Sequence, residues 1–157
     1  MRQRGLAALM LLCGVAAPAL ALSPVACTEM GCVDGLALTV APDYRWQPGA
    51  YVFRLTLDGR AVTCRGSLPL NACDMPSLTC DGEGVMITES GCALPPEAQG
   101  FGDIQISSGP RQVAISITRD GQTLVEKTVT PTYRTARPIG SQCEPECRQA
   151  SVPLLGQ

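Results

Sequence analysis

The dipeptide Asp58-Gly59 constrains this chain more than any other feature. It lies inside the stretch Gly49–Pro69, between two runs of alternating residues. A two-residue hairpin turn needs positive φ at both central positions, which Asp and Gly adopt at low cost. Such a turn pairs Leu57 with Arg60, Leu55 with Val62, Phe53 with Cys64 and Tyr51 with Gly66. Side chains alternate across a strand. One face therefore carries Tyr51, Phe53, Leu55, Leu57, Val62 and Cys64, and the other carries Ala50, Val52, Arg54, Thr56, Ala61 and Thr63. The apolar sets of the two arms coincide, and a one-residue slip would send one set into water.

The N-terminus reads as an export signal. Arg2 and Arg4 precede an apolar run, Leu6–Leu20, that is too short for a comfortable transmembrane helix. Ala19-Leu20-Ala21 ends it as a small-x-small cleavage site. Residues 1–21 are thus expected to be a cleaved signal peptide, leaving 136 residues of the 157 and no transmembrane segment. That length suits one domain: a β-sandwich over 22–133, followed by an irregular tail over 134–157. Losing Arg2 and Arg4 reduces the twelve basic residues to ten, against fourteen acidic ones, a net charge of −4. Such a balance excludes nucleic acid as a partner. The chain is expected in the periplasm or outside the cell. Lipid attachment at Cys27 is disfavoured, because Pro24-Val25-Ala26 lacks leucine three places upstream.

Cys13 leaves with the leader. Eight cysteines remain: Cys27, Cys32, Cys64, Cys73, Cys80, Cys92, Cys143 and Cys147. An even number in an exported chain implies four disulfides, and spacing alone does not choose among the pairings. None of the spacings is the C-x-x-C of a redox or zinc site. Local bridges, Cys73–Cys80 and Cys64–Cys92, are expected for the middle four. For the outer four, Cys27 or Cys32 pairing with Cys143 or Cys147 would tie the termini together. The competing scheme is Cys27–Cys32 with Cys143–Cys147.

The remaining strands follow the same period-two logic. Gly35–Val40, Val85–Glu89 and Phe101–Ser107 each read as a strand. Gln112–Thr130 reads as a second hairpin on Asp120-Gly121. Its second arm is untidy. A two-residue turn opposes Ile115 with Glu126, a three-residue loop opposes it with Val125, and a bulge would reconcile the arms. No helical period survives past residue 21. Six or seven short strands with turns between them indicate an all-β, disulfide-stapled antiparallel β-sandwich of immunoglobulin-like type, with irregular cysteine-bearing N- and C-terminal segments.

Absent residue types narrow the chemistry. There is no histidine, which removes Ser-His and Cys-His catalysis and histidine metal ligation. The one lysine of the chain, Lys127, reads as a solvent-facing strand residue rather than half of a Ser-Lys dyad. Asp74, Asp81, Glu83 and Glu89 make one loop region acidic. A weak calcium site or a glycosidase carboxylate pair would use such residues, but the spacing matches no calcium loop and a solvated loop is the plainer reading. Tyr44, Arg45 and Trp46, in the loop before the hairpin, are the candidate partner-binding residues, because exposed aromatics beside arginine anchor interfaces. The alternative is that Trp46 packs over the end of the sandwich. No cofactor and no metal are expected.

The motifs Cys-Thr-Glu-Met-Gly-Cys32, Trp-Gln-Pro-Gly-Ala-Tyr51, Gly-Cys-Ala-Leu-Pro-Pro96 and Cys-Glu-Pro-Glu-Cys-Arg-Gln-Ala150 span the mature chain. They resemble a group of small, exported, cysteine-rich bacterial proteins. That resemblance implies a disulfide-stapled exported β-domain and transfers no activity or site. The function expected from the residues is non-catalytic binding of an envelope or extracellular macromolecule. An inhibitor of an exported hydrolase, presenting loop 65–91 rigidly, is a special case. The alternatives are a small hydrolase using the acidic loop and a purely structural envelope component.

Recovered unreduced from an exporting host, the protein should begin at Leu22, weigh eight hydrogens less than its reduced form, and resist alkylation. Intact mass spectrometry reads all three. Free thiols, a lipid adduct or a retained leader would contradict the compartment and the cysteine argument.

Overall fold

The computed structural model describes Cys27 and residues 31–156; the leader over 1–21 and Cys13 lie outside the described residues. Asp58 and Gly59 turn the chain with φ of 47° and 91°. They join β2 (Gly49–Leu57) to β3 (Arg60–Leu68). The pairings are those the turn dictates, from Leu57–Arg60 through Phe53–Cys64 to Tyr51–Gly66. The six residues assigned to the apolar face are all buried.

The second hairpin joins β7 (Val113–Arg119) to β8 (Gln122–Val129). Asp120 and Gly121 form a two-residue turn, with φ of 49° and 81°. The ladder slips between Ile117 and Thr118, which places Ile117 opposite Val125 and Ile115 opposite Lys127. Neither simple register holds; the bulge at Leu124 brings Val125 and Val129 onto the core face. Lys127 thereby shares a face with core residues at the edge of the sheet, and its ammonium donates to the Pro153 carbonyl at 3.2 Å. That contact reaches from one sheet to the other, while Lys127 itself is exposed, as expected of a solvent-facing strand residue.

The two Asp-Gly turns clamp each other's strands. β2 and β7 run antiparallel side by side, from Tyr51–Arg119 to Leu57–Val113. At one end the Asp58 amide donates to Gln112 O at 3.1 Å, and its carboxylate accepts from the Arg111 and Gln112 amides at 3.0 and 2.9 Å. At the other end the Asp120 amide donates to Ala50 O at 2.8 Å, and its carboxylate accepts from the Ala50 amide at 2.8 Å.

Around these hairpins stand β1 (Gly35–Val40), β4 (Leu78–Cys80), β5 (Val85–Ser90), β6 (Gly100–Ile106), β9 (Arg134–Ala136) and β10 (Cys147–Leu155). They build two five-stranded sheets, ordered β4-β3-β2-β7-β8 and β5-β6-β1-β10-β9. The facing residues of the first sheet, among them Phe53, Leu55 and Ile117, meet Leu36, Leu38, Ile104 and Ile106 of the second. Each such side chain contributes about 1.5–3 kcal/mol on full burial. The result is a disulfide-stapled β-sandwich. Among the described residues, no helix is long and apolar enough to cross a membrane.

Two expectations are corrected here. The tail over 134–157 is not irregular throughout: it supplies β9 and β10, and β10 lies beside β1 in parallel, Leu36 opposite Ala150 and Leu38 opposite Val152. The sandwich is therefore not wholly antiparallel. The middle bridges are Cys64–Cys80 and Cys73–Cys92, not Cys64–Cys92 and Cys73–Cys80. The reason is β4, whose pairing with β3 sets Cys80 directly opposite Cys64. That leaves Cys73, in the loop between β3 and β4, to reach Cys92 just past β5. The outer four tie the termini together, as Cys27–Cys143 and Cys32–Cys147. Closing a loop of 116 or 115 residues is worth roughly 4–5 kcal/mol in the chain-entropy account, and the second bridge adds less because the first has already brought the same chain ends together.

Asp58→Asn tests the clamp. The two backbone amides hold the Asp58 carboxyl below its ordinary 3.8. A depressed carboxyl stabilises the fold fully above the unfolded value and loses that contribution as pH falls through the folded one. Urea midpoints at about pH 6 and about pH 2.5 should fall further for the wild type than for the variant. Equal falls would show that the Asp58 charge contributes nothing to the clamp.

Candidate functional site

Five of the six aromatic residues gather at one end of the sandwich. Trp46 lies at the centre, with ring centroids 5.0 Å from Tyr44, 5.3 Å from Tyr51 and 5.3 Å from Phe101. Phe53 packs edge-on against Phe101 at 5.4 Å. Tyr51 and Phe53 come from one sheet, Phe101 from the other, and Tyr44 and Trp46 from the loop 41–48 between β1 and β2. Large rings in such edge-to-face contacts add about 0.5–1.5 kcal/mol per pair beyond the area they bury.

The candidate trio is thus split. Trp46 is only 7% exposed and serves as the keystone of the core, not as an exposed anchor. Tyr44 is half-buried, and that burial raises its phenol pKa, with Tyr51 adding to the effect. Arg45 is exposed; its guanidinium donates to Pro42 O at 3.3 Å. The loop itself is pinned from below, since the Tyr51 hydroxyl accepts from the Gln47 amide at 3.2 Å and donates to the Gln47 carbonyl at 2.6 Å.

Two further loops reach the same end: 69–77 between β3 and β4, and 91–99 between β5 and β6. Cys73–Cys92 staples them together. Gln99 bridges them a second time: its side chain, 8% exposed, accepts from the Leu70 amide at 2.6 Å and donates to the Leu94 carbonyl at 2.8 Å. Within the first loop, the Asn71 amide donates to Ser77 Oγ at 2.6 Å and the Asn71 side chain to Pro76 O at 2.9 Å. The Glu89 carboxylate, on β5, accepts from the Ser77 and Leu78 amides at 2.9 and 2.8 Å. From these pinned loops Met75 and Leu94 project outward, 55% and 53% exposed.

A cleft of about 400 Å³ opens at the same end of the sandwich, between loop 41–48 and the start of β6. Tyr44, Arg45, Trp46, Glu97, Gln99 and Phe101 contribute to its lining. Arg45 and Glu97 form no ion pair; among the described residues the one ion pair is Arg137–Glu146.

The acidic residues do not converge. Asp81 accepts from the Thr63 amide at 2.6 Å, Glu89 is occupied as above, and Asp74 and Glu83 face solvent. Among the described residues, no three His, Cys, Asp or Glu side chains are grouped as a metal would require. Reasoning from the sequence missed Gln99 and placed Glu89 in a solvated acidic loop rather than against the Ser77 and Leu78 amides; both roles depend on which loops meet, and no local motif marks them.

No protein-family model matches the chain, and neither does a curated protein or a solved structure.

Gln99→Leu leaves the Leu70 amide and the Leu94 carbonyl without partners. Unfolding in urea should show a loss of about 1–3 kcal/mol. Amide exchange should accelerate at Leu70 while β2 and β7 stay protected. Unchanged exchange at Leu70 would show that Gln99 does not couple the loops.

Proposed function

We propose that this protein is an exported, non-catalytic, immunoglobulin-like β-domain that binds another macromolecule of the envelope or extracellular space through its three-loop end. One observation carries the reading: loops 69–77 and 91–99 are stapled by a disulfide and by Gln99, yet hold Met75 and Leu94 out in water. Keeping large apolar side chains exposed on an ordered surface is unfavourable for an isolated molecule and favourable for an interface. A surface held rigid before contact also loses less entropy on binding. Four disulfides are compatible with an exported protein. The two packed sheets and the short connections between strands support the immunoglobulin-like comparison.

The alternative readings find less support. A hydrolase using the acidic loop would need carboxylates aimed at a substrate, whereas Asp81 and Glu89 are aimed at backbone amides. For the inhibitor, the loop geometry favours one mode of docking over another. The Met75 amide donates to Ala72 O at 2.8 Å, which bends Ala72–Met75 into a tight turn. Such a knuckle fits a pocket or a concave surface; it does not lie extended in a cleft as a substrate does.

A photo-crosslinker in place of Leu94 should yield one discrete adduct in cells, and Met75→Asp should abolish it. The same crosslinker in place of Thr56, on the outer face of β2, should yield none. Equal labelling from both positions, or none from either, would contradict the reading.

A further inference from the structure

We propose that the cleft between β1 and β6 is a slot that takes an extended peptide segment of the partner as an added strand. This rests on the reading of the domain as a binding module and names the chemistry of what it binds.

The slot is a split in a sheet. β1 and β6 are paired from Leu36–Ile106 to Leu38–Ile104 and no further. Beyond that point β1 bends away, following β10 through a shifted register at Thr39 and Val40. Asp103 holds the strands apart: its carboxylate accepts from the Val40 amide at 2.9 Å, where a strand carbonyl would otherwise pair. β6 nevertheless continues as a strand to Gly100, paired with β5 alone at Glu89–Phe101 and Ser90–Gly100. Its other side lines the cleft with no ladder partner among the described residues.

The composition of that edge suits the close approach of another backbone. Gly100 and Gly102 flank Phe101. A Cβ at Gly100 would run into Cδ1 of Trp46, and one at Gly102 into Oγ1 of Thr88. Neither position can carry a Cβ without a clash, so the edge is backbone alone, partly exposed at Gly102 and covered by Trp46 at Gly100, and an unpaired strand edge is a template for another strand. Peptides added in this way draw affinity from main-chain hydrogen bonds and specificity from alternate side chains. The slot offers two such determinants. Arg45 and Glu97 line it without pairing to each other, so an acidic residue facing Arg45 and a basic residue facing Glu97 would each gain a partner. A glycan fits less well. Sugars dock on the faces of exposed aromatic rings, and the Trp46 ring is enclosed by Tyr44, Tyr51 and Phe101.

The test uses the disulfide-intact mature protein and a library of cysteine-free linear dodecapeptides. Selection should return peptides with alternate apolar positions and an acidic residue. A selected peptide should slow amide exchange at Gly100–Gly102 at least tenfold. Arg45→Glu should weaken its affinity about tenfold or more, and Ala98→Trp, which fills the cleft from its rim, should abolish binding. Failure to select any peptide, protection confined to another edge, or affinity unchanged in both variants would overturn the proposal. So would a glycan panel that binds with the same sensitivity to the variants while peptides do not. The crosslink from Leu94 stands apart from these outcomes: if it persists while the slot fails, the domain binds a partner, but not by strand addition.

Discussion

The packing of Trp46 against Tyr51, Phe53 and Phe101 is the interaction on which the rest of this structure depends. The chain has few aromatic residues, and it places five of six in one cluster rather than spreading them through the core. That cluster joins the two sheets at one end of the sandwich, and it roots loop 41–48 by drawing Trp46 inward. The same end carries the stapled loops, the exposed apolar tips and the split between β1 and β6. Stability and the proposed binding surface therefore share a foundation. Truncating Trp46 would collapse the floor of the cleft as well as open a cavity in the core.

Carboxylates take the place of ion pairs in holding this fold. Asp34 accepts from the Arg148 amide, Asp103 from that of Val40, and Asp58, Asp81, Glu89 and Asp120 from amides at turns and strand ends. Charge-assisted hydrogen bonds to backbone N–H groups are stronger than neutral ones. Those of Asp34, Asp58, Asp103 and Asp120 cross between segments distant in sequence. An acidic composition with a single lysine is thus consistent with a domain that directs its carboxylates at its own backbone. It also explains why an acidic loop here is poor evidence of catalysis.

What was legible in the sequence was local. The first hairpin could be read residue by residue, because Asp58-Gly59 sets the turn and the apolar alternation sets the register. The second hairpin was legible as a hairpin but not in register, since the bulge at Leu124 answers to core packing that only the partner sheet defines. β10 was missed for two reasons. Its inward residues Ala150 and Val152 are small, and Pro153 reads as a strand breaker. Pro153 is tolerated because β9 pairs only as far as Gln149, leaving β10 an edge strand beyond it. The middle disulfides were mispaired because β4 is three residues long and carries no pattern of its own. Tyr44, Arg45 and Trp46 lie at the end where the stapled loops meet, with Trp46 inside the core rather than on the surface.

The pairing of the eight cysteines tests the central claim, that a disulfide-stapled sandwich presents joined loops at one end. Cyanogen bromide cleaves after Met30, Met75 and Met86, trypsin after Arg45, Arg65 and Arg119, and an acid-specific protease after Glu146, which together separate all eight. Mapping the unreduced protein should recover Cys27–Cys143, Cys32–Cys147, Cys64–Cys80 and Cys73–Cys92. Recovery of Cys73–Cys80 with Cys64–Cys92 would leave loops 69–77 and 91–99 without their disulfide and contradict the account.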